Sequence, residues 1–359
     1  MIPKINNANI LSLSQFIFII HGAQVGTGIL FLPRTLAEKT GTDGWLVLPF
    51  CYVFSTIASI AWVQVAKRYQ IYFTKESNNK MNEYIKKALI IVYICYFSFY
   101  AWVILLNGML YIKGNLLPKT PDYLLILLFL IPTYLVVAEN VYVLGRYCEI
   151  VFYLTIWIVL LFLIPLKEGN LLNMLPIFKN GISSILNAFP QAIFPFTGFE
   201  MVVWMYPYLK RKQAATKAVI IANSITLIFY TFMTISCYIF FSPDEITSYN
   251  QPVLSILKII EVSFLERFDL IIITLYLFVV FTAWTPYIYA SLVCISNLTK
   301  QKKKNIHIFI FFICIILSVF LIHPSWSQVQ SWKSLISHVG LGTAYIFPIF
   351  MLLVAKLRR

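Results

Sequence analysis

Charge is scarce in this chain: only 12% of its 359 residues are Asp, Glu, Lys or Arg, and just 14 are acidic. A soluble domain of this size carries about twice that charged fraction, so a water-soluble fold is excluded. There is no GxSxG, HExxH or Walker sequence, and the four histidines (21, 307, 323 and 338) are scattered. These absences remove the serine hydrolases, zinc proteases and ATP-driven pumps, and neither a catalytic group nor a cofactor or metal is expected. The six cysteines (51, 95, 148, 237, 294 and 314) contain no CxxC pair and read as small buried hydrophobes rather than disulfides or metal ligands. No tract is polar enough to form a second domain, so residues 1–359 read as one membrane domain.

What the chain has instead is apolar length. Hydrophobic residues make up 60% of it, and its mean hydropathy is +0.81. Runs of about twenty apolar residues recur from end to end, which predicts an all-α polytopic membrane protein. Ten spans are placed at 12–33, 44–66, 88–112, 121–138, 147–166, 182–208, 217–241, 269–298, 306–323 and 335–355. The +14 net charge does not indicate nucleic acid, because Lys and Arg fall in short clusters between spans, such as Lys67-Arg68, Lys210–Lys212 and Lys302–Lys304. With both termini cytoplasmic, 19 of the 28 basic residues lie inside, as the positive-inside rule requires. The N-terminus offers only Lys4 before the first span, with no small-residue cleavage site, so the first helix is expected to direct insertion. In the long outer connection 242–268, the apolar stretch 253–260 suits a short interfacial helix.

Two spans carry features that a plain membrane helix avoids. In the first, GAQVGTGILFLP (22–33) places three glycines within seven residues, after a run that reaches about half the hydrocarbon depth. Gly22 and Gly26 also form GxxxG, which alone suits close helix packing. In the sixth, Pro190, Pro195 and Gly198 gather at the middle, and the prolines are expected to free the carbonyls of Leu186 and Gln191. Breaks in spans one and six of ten fit an inverted repeat of five plus five, about 10–166 and 182–356, with the breaks meeting at the midplane. N–H groups of Gly26, Thr27 and Gly28 then suit a carboxylate, and carbonyls near Phe194 and Pro195 suit an ammonium group. Backbone dipoles bind both without burying side-chain charge in lipid.

Glu200 is the conspicuous intramembrane charge, with two compatible readings. It is a proton carrier or ligand contact, or, within Thr197-Gly198-Phe199-Glu200, half of a T-x-x-E capping box. His21 reads as a hydrogen-bonded spacer beside the first break. Thr282, Thr285, Tyr287 and Tyr289 of span eight are candidate pocket residues, with Pro286 loosening that helix. Tyr100, Trp102 and Asn107 of span three are candidates too, while Glu139, Arg146 and Glu149 read as a solvated ion-pair cluster.

These motifs carry a family resemblance. GTGIL resembles the GSGIF-like signature of the amino acid–polyamine–organocation permeases, and FPFTGFE resembles their sixth-span FxGFE motif. LSLSQ, GTGILFLP and AFPQAIFPFTGFE, in that order and spacing, resemble the B subunits of endospore nutrient germinant receptors over essentially the whole chain. The resemblance implies a leucine-transporter-like fold in the spore inner membrane, working beside an A subunit and a lipoprotein C subunit. It implies an amino acid site at the Gly26–Gly28 and Phe196–Glu200 turns; together with the residue reading above, Gln24, Gly26, Thr27, Gly28, Phe194, Phe196, Thr197, Gly198, Glu200 and Thr285 form the expected ligand set. One departure is that span five, CEIVFYLTIWIVLLFLIP, lacks the mid-membrane lysine of some proton-coupled relatives. Two functions remain open: a nutrient-sensing receptor subunit, favoured, and an autonomous amino acid transporter. A scaffold that binds no ligand is the remoter third.

Overall fold

The computed structural model describes residues 10–26, 28–69, 83–260, 268–299 and 304–357. Thr27, and the basic residues Lys4, Lys75, Lys80, Arg267, Lys300, Lys302, Lys303, Arg358 and Arg359, lie outside the described residues.

Helix α1 (Leu13–Gln24) begins at a capping box. The Ser12 hydroxyl accepts the Gln15 N–H at 3.1 Å, and Gln15 Oε1 accepts the Ser12 N–H at 3.0 Å. Helix α2 (Gly28–Thr40) follows, and a 3-10 turn at Gly41–Leu46 leads into α3 (Val47–Tyr69). Next come α4 (Glu83–Asn115), α5 (Asp122–Val137) and α6 (Val141–Leu161). Helix α7 (Gly181–Ala192) gives way to 3-10 turns at Phe194–Phe196 and Phe199–Met201 before the single turn α8 (Val202–Met205). Helix α9 (Ala215–Phe240) precedes two short helices, α10 (Glu245–Ser248) and α11 (Pro252–Lys258). The long α12 (Phe268–Thr299) is followed by α13 (Lys304–Ile322). Helix α14 (Trp326–Gly340) joins α15 (Phe347–Leu357) through a π-helical turn at Leu341–Ile346.

Seven helical stretches among the described residues are long and apolar enough to cross a membrane. They are Gly28–Arg68, Lys86–Asn115, Val141–Lys167, Lys212–Phe240, Phe268–Thr299, Lys304–Ile322 and Trp326–Val354. The remaining helices of the expected spans are shorter. α1 and α7 have 12 residues each and α5 has 16, and at 1.5 Å per residue even α5 reaches only about 24 Å. Outward faces are apolar and solvent-accessible, as on α13, where Phe309, Ile310, Ile313, Leu317 and Phe320 recur every one to four residues. Bare aliphatic surface of this extent suits lipid rather than water.

The centre of the bundle is the antiparallel pair α4 and α12. Tyr100 stacks on Tyr287 with ring centroids 4.1 Å apart, Ser98 bonds Ser291 at 2.6 Å, and Gly108 lets Trp284 and Val280 approach. Helix α12 runs through Pro286 without a break. Pro190 likewise lies inside α7, which continues to Ala192; only the chain around Pro195 leaves α-helical form. The apolar stretch 253–260 does form a short helix, α11, with Val253, Leu254, Ile256 and Leu257 buried. An isolated parallel bridge ties the entry of α1 to the exit of α8: the Leu11 N–H donates to Tyr208 O at 2.8 Å and the Lys210 N–H to Leu11 O at 3.0 Å.

Candidate functional site

The first interruption begins where Val25 closes the last turn of α1 on His21 O. The Gly26 N–H then folds back to Gln24 O at 3.1 Å, and α2 starts at Gly28. The second interruption turns at Gly198, whose φ of +121° is open to glycine and strained for residues with a Cβ. The two meet directly. A Cβ on Gly198 would lie 3.0 Å from Ala23 C and from Gln24 N, and one on Gly28 would lie 3.7 Å from Pro195 Cβ.

Buried side chains bind this junction. The Tyr230 hydroxyl lies 2.8 Å from Gln24 O and 3.1 Å from Pro195 O, touching both interruptions at once. Gln24 Nε2 donates to Phe196 O at 2.7 Å and to Asn223 Oδ1 at 2.8 Å, while Gln24 Oε1 accepts from the Thr226 hydroxyl at 2.7 Å. A hydroxyl has one proton. With that proton on Gln24, His21 Nδ1, 2.9 Å from Thr226 Oγ1, carries its own hydrogen and donates. His21 is thus the hydrogen-bonded spacer its position suggests. The Tyr276 hydroxyl donates to Gly26 O at 2.6 Å, and the Tyr345 hydroxyl, from the π-helical turn, to Ile193 O at 3.1 Å.

Glu200 collects three donors. Its Oε1 accepts the Tyr96 and Tyr287 hydroxyls at 2.9 and 3.2 Å, and its Oε2 accepts the Gly198 N–H at 2.8 Å. The expected capping box does not form, although Glu200 still caps the turn from one residue away. Glu200 folds back onto the turn, but on the Gly198 N–H, and the Thr197 hydroxyl instead bonds Tyr100 at 2.7 Å and Phe194 O at 2.7 Å. The reason is conformational: Thr197 is extended (ψ 160°) and the 3-10 turn takes Gly198 as its N-cap. Because the carboxyl serves as an acceptor throughout, Glu200→Gln should keep both tyrosines on its carbonyl oxygen but oppose an NH2 group to the Gly198 N–H. We expect a loss of about 1–3 kcal/mol, read as a lower melting temperature of the solubilised protein, with ligand response retained; Glu200→Ala should lose both.

The expected ligand residues are gathered unequally. Gln24, Gly26, Gly28, Phe194, Phe196, Thr197, Gly198 and Glu200 lie at the junction, and Thr27 is outside the described residues. The Gly26 N–H, expected to face a ligand, is already bonded to Gln24 O. Thr285 is fully buried, and its hydroxyl returns to Phe281 O of its own helix at 2.7 Å, the usual habit of a helical threonine. Trp102 turns away to Ser318 at 2.8 Å, and Tyr289 lies under Lys304, 5.2 Å from ring centroid to ammonium. Arg146 pairs with Glu149 at 3.6 Å, and Glu149 also accepts from Ser14 at the start of α1. Sequence reasoning passed over Asn223, Thr226 and Tyr230, whose i, i+3, i+7 spacing makes a polar stripe on one face of α9. Beside the junction, a cavity of about 70 Å3 opens between α1, α6, α9 and α12, touching His21, Gly22, Tyr276 and Thr282.

Residues 10–327 match the family described as Spore germination protein (Spore_permease). The chain belongs to the spore germination protein family. Spore germination protein GerQB of Bacillus cereus is 24% identical over 352 residues, covering 95% of this chain and 96% of that relative. GerLB of the same organism is 27% identical over 366 residues (95% and 93%), and Spore germination protein KB of Bacillus subtilis (strain 168) is 24% identical over 359 (96% and 94%). Among solved structures, MhsT in complex with L-phenylalanine superimposes with a TM-score of 0.63 at 16% identity, covering 95% of this chain and 88% of that one. Mhp1, a nucleobase-cation-symport-1 family transporter with bromovinylhydantoin bound, gives 0.58 at 11% identity, covering 94% and 77%. This spore germination protein therefore has the fold of these leucine-transporter-like transporters and is a multi-pass membrane protein of a permease family rather than an enzyme family.

Proposed function

We propose that this chain is the nutrient-sensing B subunit of a spore germinant receptor and that a small nutrient, an amino acid foremost, binds where the two interruptions meet. In this reading ten spans form a five-plus-five inverted repeat, residues 10–166 and 182–356, with both termini cytoplasmic, in the spore inner membrane beside A and C subunits. The observation that carries it is the Tyr230 hydroxyl, in hydrogen-bond reach of a carbonyl from each interruption. Non-helical backbone at membrane depth persists where protein or a binding site lines it. Its carbonyls here are met by hydroxyl and amide donors that an ammonium group can replace, and the start of α2 at Gly28 offers helix N-terminal N–H groups for a carboxylate.

Binding then exchanges internal hydrogen bonds for ligand bonds and biases the opening of the junction. A nutrient shifts that equilibrium only by its differential affinity for the two states, and the partner subunits read the shift. The fold shared with two transporters favours a second reading, an autonomous amino acid transporter using the same site. Thermal stabilisation of the purified chain by an amino acid panel tests the site. Counterflow into liposomes containing this chain alone separates the readings, because a sensor gives none and a transporter gives robust exchange.

Gly26→Ala provides a local check. A Cβ there would lie 2.7 Å from Ala283 Cβ, a methyl group with no rotamer to escape into. The variant should insert normally yet lose nutrient stabilisation at least about tenfold, through forced separation of α1 from α12 costing about 1–3 kcal/mol. An unchanged ligand response in this variant would count against the assignment.

A further inference from the structure

Asn107 is 1% exposed, and neither its Oδ1 nor its Nδ2 has a hydrogen-bond partner. The other buried amides at the centre behave differently: Gln24 and Asn223 bond through both ends. A primary amide offers two donors and an acceptor, and leaving all of them unmet in a dry interior is among the costlier arrangements a fold can hold.

Its register on α4 gives this side chain a context. Tyr96, Tyr100, Asn107 and Tyr111 follow at intervals of four, seven and four residues, which places them on one face of the helix. Tyr96 donates to Glu200 and Tyr100 bonds Thr197, so the upstream end of this face holds the second interruption. Tyr111 packs edge-on against Tyr276 at 5.7 Å, and Tyr276 donates to Gly26 O, so the downstream end leads to the first. Asn107 occupies the position between them.

We propose that Asn107 is a specificity-determining ligand contact and that it selects a nutrient bearing a neutral amide edge, a C=O acceptor beside an N–H donor. This rests on the junction being the nutrient site. A carboxylate would answer only the donors of Asn107, an ammonium group only its acceptor, and an apolar side chain neither. A neutral amide edge answers both in a paired contact, the geometry by which Asn and Gln pair with the edge of adenine. Such an edge occurs in the carboxamide of an amino acid and in the lactam of a purine nucleoside. Sites that hydrogen-bond a ligand group reject analogues without it far more strongly than apolar pockets reject a missing methylene.

The test measures affinity and thermal stabilisation of the purified full-length chain with L-asparagine, L-glutamine, inosine, L-leucine and L-methionine. It compares wild type, Asn107→Leu and Asn107→Asp. Wild type should bind an amide-edged ligand about tenfold or more tightly than its apolar counterpart, with L-asparagine or L-glutamine indicating the carboxamide source and inosine the lactam source. Asn107→Leu should melt at or above wild type without ligand, because an orphaned amide has been removed, and should lose the amide preference. Asn107→Asp, close in size but without the amide donors, should lose it too. A lower unliganded melting temperature with unchanged ligand preference would make Asn107 structural and overturn the inference. Leucine or methionine binding wild type as well as the amide ligands do would also overturn it, while leaving the nutrient site intact. If no member of the panel bound wild type, both would fall.

Discussion

Gly198→Ala is expected to abolish the nutrient response and to lower stability by about 4 kcal/mol, combining the cost of a residue with a Cβ in this backbone region with that of overpacking. The residue sits at φ +121°, and the added Cβ would meet Ala23 C and Gln24 N at 3.0 Å. These are backbone atoms at the end of α1, where the other interruption begins, so no rotamer change relieves the contact. Either the turn relaxes and releases the Gly198 N–H from Glu200, or the two interruptions part. Both outcomes dismantle the junction while leaving the apolar spans able to insert. Gly114→Ala is the matched control, since a Cβ there meets nothing within 4 Å. Melting curves and ligand titration of the two variants side by side check the expectation. A Gly198→Ala protein that melts and responds like Gly114→Ala would refute the contact.

Gln24→Leu should be nearly as severe. Gln24 links Phe196 O, Asn223 Oδ1 and the Thr226 hydroxyl within a buried network that continues to His21 and Ser59. Leucine has a similar volume, so packing survives and the loss is almost purely polar. Orphaning these groups should cost about 3 kcal/mol or more, at about 1–3 kcal/mol each. Because Asn223 is reached through Gln24, the effect of Asn223→Ala should shrink in the Gln24→Leu background, a coupling that a double-mutant cycle measures. Strict additivity would mean that the two side chains do not act as one network.

The membrane character of the fold and the positions of its interruptions were legible because each rests on local composition. Apolar length marks the spans, and Gly26, Gly28, Pro195 and Gly198 mark the places where a helix is weakest. What decides contacts across the bundle was less legible. Pro190 reads as part of a break and Pro286 as loosening its helix, yet both lie inside helices that carry on past them. Thr285 read as a pocket residue, and a helical threonine can satisfy its hydroxyl within its own helix. Tyr276 lies in the same apolar helix, α12, and carries no local signal that its hydroxyl reaches Gly26 across the bundle. The Asn223, Thr226 and Tyr230 stripe was visible in the sequence, but its partner became apparent only when α1 was seen against α9.

The central claim is that two interrupted helices meet and hold a small nutrient between their turns. A cryo-electron-microscopy map of the intact receptor with its nutrient bound tests this most directly. The account predicts ligand density between the Gly26–Gly28 turn and the Phe194–Gly198 turn, with both helices still interrupted. Continuous helix from α1 into α2, or ligand density confined to the cavity beside α6, would contradict it.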